Sequence, residues 1–84
     1  MVNPTDLETQ LLAFLKREVF SAQLDVTADT DLVAAGFDSL SLVRLLVFIE
    51  KNHGLWIPES EITPETLQSV RTLAARVAAL LNGQ

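Results

Sequence analysis

Ser39 stands between Asp38 and Leu40, directly ahead of the apolar run Leu42-Val43-Arg44-Leu45-Leu46, so its hydroxyl falls where a loop enters a helix. At such a boundary the first backbone N–H groups have no partner inside the helix. An anion attached there gains about 0.3–1 kcal/mol from the helix dipole. Two roles suit the position. As a plain cap, Asp38 or Ser39 accepts a hydrogen bond from the first turn, worth about 1 kcal/mol. As a modification site, Ser39 offers an exposed hydroxyl to an enzyme that attaches an anionic group. A serine that is itself a nucleophile needs an adjacent base held by a third group. The sole histidine, His53, comes 14 residues later, about 21 Å along a helix that rises 1.5 Å per residue. Ser39 is therefore acted on rather than acting.

The remaining inventory is thin. His53 reads as a residue tolerated at a helix carboxyl end. The three glycines, Gly36, Gly54 and Gly83, stand too far apart for a phosphate loop. The pairs Asp29 with Asp31 and Glu59 with Glu61 read as solvated loop charges or caps rather than a calcium site. With no cysteine in the chain, disulfides, thiolate-ligated metals and a protein thiol nucleophile are all excluded. No metal site is expected, and a sulfur nucleophile has to come from outside. Eleven acidic against six basic residues give a net charge of −5, which disfavours nucleic acid and favours a basic partner surface. The opening MVNPTDLETQ has no basic region, and the longest strongly apolar run is Leu45 to Ile49. Neither a signal peptide nor a membrane span is expected, hence a cytoplasmic protein.

The elements that must position Ser39 read as helical throughout, in one domain spanning residues 1–84. Asn3 before Pro4 opens a first helix, with Thr5 and Glu8 as an alternative capping box. Leu7, Leu11, Phe14 and Leu15 share one face, and the helix is expected to run to about Val19. Ser21 to Asp38 forms a long acidic loop pinned to the core by Leu24, Val26, Leu32 and Val33. The second helix starts at Asp38 or Ser39 and stops near His53, before Gly54. Thr63-Pro64-Glu65 starts a short third helix, and Ser69 with Thr72 opens the last. The expected fold is an all-α four-helix bundle with a long first connection and a short third helix.

The second helix carries more apolar surface than one core-facing stripe needs. Taking Leu42 as the reference, Leu45, Leu46 and Ile49 lie within about 60° of it, and Phe48 is also assigned to the core. Leu40, Val43 and Val47 fall about 100° to 160° away, beside Arg44 and Lys51. Unless the loop from Ser21 to Gly36 or the third helix covers it, this second stripe is a contact surface.

The run Asp31-Leu32-Val33-Ala34-Ala35-Gly36-Phe37-Asp38-Ser39-Leu40 and the helix after it resemble the attachment site of acyl carrier proteins. In that family a loop ending in Gly-x-Asp-Ser-Leu leads into the second of four helices. The resemblance extends through the Gly54-Leu55-Trp56-Ile57-Pro58 passage, the short third helix and the last one. It implies that Ser39, flanked by Asp38 and Leu40, receives 4′-phosphopantetheine from coenzyme A through a phosphopantetheinyl transferase. It implies a monomer that holds acyl or aminoacyl groups as thioesters and is not an enzyme. Its partners would be the loading enzyme and the acyltransferases or synthases of polyketide, nonribosomal peptide or related biosynthesis, docked on Leu40, Val43, Arg44, Val47 and Lys51.

Three departures bear on partners. Carriers of fatty acid synthesis have an acid-rich second helix, whereas here Arg44 and Lys51 outnumber Glu50, so a partner acid is expected opposite Arg44. Asp38 stands where modules of large peptide synthetases often have histidine or asparagine. The Pro58 to Glu65 stretch is similar to discrete carriers that load amino acids or unusual extender units. The competing reading is a non-catalytic helical adaptor that binds a partner through Leu40, Val43 and Val47, with Ser39 only a cap.

Overall fold

The computed structural model describes residues 1–20 and 24–83. Ser21 to Gln23, where the acidic loop was expected to start, and Gln84 lie outside the described residues. Three α-helices carry the fold: α1 (Pro4–Phe14), α2 (Ser39–His53) and α3 (Val70–Leu81). α1 packs along α3. Each helix begins on a side-chain cap. The Asn3 side chain accepts from the Thr5 amide at 2.8 Å, ahead of Pro4. Ser69 and Thr72 form a reciprocal capping box, with the Thr72 amide on Ser69 Oγ at 3.0 Å and the Ser69 amide on Thr72 Oγ1 at 3.1 Å. α2 ends on Gly54, whose φ of 76° lets its amide reach the Glu50 carbonyl at 2.8 Å.

The first helix does reach Val19, but its last five residues, Leu15–Val19, widen into a π turn closed by the Phe20 amide on the Leu15 carbonyl at 2.8 Å. The turn keeps Leu15 and Phe20 in the core while Lys16, Arg17 and Glu18 face water.

The expected short third helix is reduced to 3₁₀ turns, so three α-helices stand where a four-helix bundle was expected. Between Pro58 and Ser69 the chain makes two 3₁₀ turns, Glu59–Glu61 and Thr66–Gln68. Thr63 Oγ1 accepts from the Thr66 amide at 3.3 Å just ahead of the second turn, whose own start at Glu65 has no side-chain cap. Ser69, extended at φ −161° and ψ 164°, already caps α3. The few residues between leave room for bonds over three residues but not for a second α turn.

The connection into α2 is anchored differently from the expectation. Val26 and Leu32 are buried as expected, but Leu24 and Val33 are 40% and 53% exposed, and the third anchor is Phe37. The reason is the coil at Asp31 to Gly36. The Ala35 amide donates to the Asp31 carbonyl, the Gly36 amide to Val33 and the Phe37 amide to Leu32. This curl turns Leu32 and Phe37 inward and Val33 outward. Two long-range bonds hold the segment: the Leu32 amide on the Leu67 carbonyl and the Arg71 amide on the Ala28 carbonyl, each at 3.0 Å. The second satisfies a donor in the first turn of α3 that the helix cannot pair itself.

Three of the loop and turn carboxylates have partners. Asp29 pairs with Arg71 and Glu61 with Arg76. Asp31 Oδ1 accepts from the Ala34 amide at 3.1 Å.

Candidate functional site

The site is built by the last residues of the connection. Gly36 takes a φ of 104°, open to glycine and rare for other residues, and so delivers Phe37 into the core. With Phe37 held, Asp38 is extended and becomes the cap of α2. Its carboxylate accepts from the Ser41 amide at 2.9 Å and from the Ser41 hydroxyl at 2.8 Å. Those bonds, the amide first, hold the Asp38 carboxyl below the usual carboxylate range. Ser41 is itself buried, and this pairing satisfies its hydroxyl.

Ser39 is then the first residue of α2, exposed, and outside the cap made by its neighbour. Among the described residues no side-chain hydrogen bond engages its hydroxyl. It lies beside an open depression of about 230 Å³ whose other walls are Phe37, Asp38, Leu42 and Leu67. An exposed hydroxyl at a helix amino end, next to unpaired N–H groups, fits a covalently attached phosphate ester.

Leu40, Val43 and Val47 are 61%, 41% and 50% exposed, so the second stripe of α2 does face solvent. Leu45, Leu46 and Ile49 are fully buried opposite them. Phe48, assigned to the core by its spacing, is half-buried and stacks on Phe14 with ring centroids 4.5 Å apart. The far end of α2 carries no chemistry that Ser39 can use. His53 Nε2 lies 3.0 Å from Gln10 Oε1, a tie to α1 at the opposite end of the helix.

A family model described as the phosphopantetheine attachment site matches residues 9–77. The chain belongs to the acyl carrier protein family. It is 37% identical over 79 residues to aminoacyl carrier protein 1 of Bradyrhizobium diazoefficiens, covering 92% of this chain and 88% of the relative. It is 36% identical over 59 residues to aminoacyl carrier protein 2 of the same organism, covering 70% of this chain and 64% of the relative. No solved structure matches it significantly.

Members of the family bear covalent 4′-phosphopantetheine, and this is the cofactor of the carrier described here. They serve as carriers rather than catalysts, and work with a phosphopantetheinyl transferase and with acyl-handling enzymes. Among the described residues no helix is long and apolar enough to cross a membrane.

Sequence reasoning missed three features of the site. Ser41 as the buried partner of Asp38 was legible in principle, since a cap and a hydroxyl three residues on are a recognised pair. The Phe14–Phe48 stack and the approach of Arg17 to α2 had no local signal, because they join segments about 30 residues apart.

Proposed function

We propose that Ser39 is the residue that bears the 4′-phosphopantetheine arm, and that the chain is a non-catalytic carrier of acyl or, more narrowly, aminoacyl groups. The observation that carries this reading is the division of labour at the start of α2. Asp38 caps the helix through Ser41, and the Ser39 hydroxyl is left exposed and uncommitted. Attachment forms a bond from Ser39 Oγ to the phosphorus that carries the pantetheine arm as the pyrophosphate of coenzyme A breaks; the transferase removes the hydroxyl proton and adenosine 3′,5′-bisphosphate departs. The resulting phosphodiester anion sits where the amino end of α2 favours negative charge. When bound, the arm supplies a terminal thiol on which cargo rides as a thioester, the sulfur nucleophile that this cysteine-free chain lacks.

The aminoacyl reading is supported by the names of two relatives, both aminoacyl carrier proteins. We assign the carrier to the cytoplasm, as a monomer in polyketide, nonribosomal peptide or related biosynthesis. Its enzyme partners dock on Leu40, Val43, Arg44, Val47 and Lys51, and neither nucleic acid nor membrane is a partner.

Intact-protein mass after incubation with coenzyme A and a promiscuous transferase tests the attachment. One prosthetic-group increment is expected in the wild type and none in Ser39→Ala. An increment that persists in Ser39→Ala overturns the assignment, and its absence from the wild type overturns the carrier reading. Incubating the loaded protein with cell extract, ATP and mixed amino acids should add one aminoacyl mass that hydroxylamine removes.

A further inference from the structure

The end of α1, its π turn and the outer face of α2 border an open groove of about 550 Å³. Its floor is apolar. Phe14 and Phe48 stack with their planes 28° apart, and the exposed Val43 and Val47 lie beside them. Its rim is basic, formed by Arg17, Arg44 and Lys51, with Glu18 the single carboxylate. That carboxylate is occupied by Arg17 at 3.0 Å. Arg44 Nη1 donates to the Glu18 backbone carbonyl at 3.0 Å, which holds the guanidinium at the edge of the groove. Among the described residues no carboxylate pairs with Arg44 or Lys51. Three cations against one anion leave the groove at +2, on a chain whose net charge is −5.

We propose that this groove docks an amphipathic helix with acidic flanks, presented by an enzyme that acts on the carrier's cargo. The apolar floor calls for anchors spaced at i, i+3 or i+4, and i+7 on the visiting helix. The rim calls for carboxylates on either side of those anchors. The stripe from Leu40 to Lys51 spans about 16 Å of helix, which matches a partner segment of about three turns. Its first residue adjoins Ser39, so a helix seated here ends at the modification point. In that respect the inference rests on the reading of Ser39, although the polarity of the groove does not. A nucleic acid or an anionic bilayer would bring a dense field of negative charge against a molecule of net charge −5, which a local excess of two cations does not offset. A single acidic helix brings its charge only to the rim.

Two synthetic helical peptides test the proposal by titration into the full-length, isotope-labelled chain. Both carry leucine at i, i+3, i+4 and i+7; one is flanked by glutamate and the other by lysine. The glutamate peptide should saturably shift the amides of Phe14 to Val19 and of Val43 to Lys51. It should bind about tenfold tighter than the lysine peptide, and weaken as salt is raised. The pair Arg44→Gln with Lys51→Gln should cost about tenfold in its affinity. Lys51→Gln alone, which removes no hydrogen bond seen in the fold, should weaken binding in the same direction, and thermal melts monitor folding throughout. Equal binding of the two peptides, or shifts centred on Asp25 to Asp31, overturns the proposal. So do groove shifts that follow the chain's own concentration without peptide, since the occupant is then a second copy. Attachment of the prosthetic group is weighed on the same samples. Lost attachment with intact peptide binding removes the Ser39 assignment alone, and the reverse removes the groove alone.

Discussion

Asp38 holds Ser41 twice, through the amide at 2.9 Å and the hydroxyl at 2.8 Å, and the serine between them takes no part. The two serines of this turn therefore do different work, although Ser39 also reads as a cap on spacing alone. Ser41 is buried and structural, and Ser39 is exposed and free to be modified.

The first prediction separates the two serines. Ser39→Ala should leave the unfolding midpoint within the small range of an ordinary surface change, about ±0.5 kcal/mol, while abolishing attachment. Ser41→Ala should retain attachment but lose about 1–2 kcal/mol, since a hydrogen bond to a charged acceptor disappears at a buried position. Urea unfolding paired with intact mass checks both. Equal destabilisation of the two variants would return Ser39 to the role of a cap.

A second prediction follows from the Asp38 carboxyl, held below its ordinary range chiefly by the Ser41 amide. A group whose pKa is depressed on folding adds stability above its unfolded pKa, about 3.9 for aspartate. That contribution is lost as pH falls through the lower, folded value. Asp38→Asn keeps a capping acceptor but removes the charge. The wild type should therefore be the more stable at pH 7, and the difference should shrink on acidification below about pH 4. Thermal melts of the two proteins from pH 7 to pH 2.5 measure it. A difference that stays constant across the range would mean that the charge contributes nothing.

What was legible in the sequence was local. Asn3 before Pro4, Ser69 with Thr72, and Gly54 each act within four residues, and the structure places each at a helix end as expected. The exposed stripe of Leu40, Val43 and Val47 was also readable, because one helix has one period. Val33 and Leu24 were misread because a loop has no period. The curl at Asp31 to Gly36 decides which apolar residues turn inward, and that curl is closed by backbone bonds rather than by side-chain type. The short third helix was misread for a related reason: Thr63 and Pro64 do signal a start, but the cap at Ser69 comes too soon for an α-helix to follow. The groove between Arg17 and Lys51 needed the tertiary fold, since its two walls are far apart in the chain.

A third prediction concerns the chain ends. The Val2 amide donates to Asn82 Oδ1 at 2.7 Å, and Asn82 Nδ2 donates to the Val2 carbonyl at 3.0 Å. This two-bond clasp ties the residue ahead of α1 to the carboxyl cap of α3. Asn82→Ala should cost about 1–2 kcal/mol, the worth of one or two partly buried hydrogen bonds, and should speed hydrogen exchange at Val2. Unchanged exchange at Val2 would mean that the clasp does not persist in solution.

The last prediction sets two adjacent residues of α2 against each other. Leu46 is fully buried among the core side chains, whereas Val47 is half exposed on the groove. Leu46→Ala removes buried methyl groups and leaves a cavity, so it should cost about 2–5 kcal/mol. In a chain of 84 residues even the lower figure is a fall of about 8 °C or more in Tm. Val47→Ala should leave the melt within about ±0.5 kcal/mol, yet weaken docking of the glutamate-flanked peptide, because the methyl groups it removes belong to the floor of the groove. Thermal melts and peptide titrations of both variants supply the comparison. If Val47→Ala melts as low as Leu46→Ala, the outer stripe is part of the core and the groove has no apolar floor to offer. If both properties are unchanged in Val47→Ala, partners bind elsewhere on the carrier.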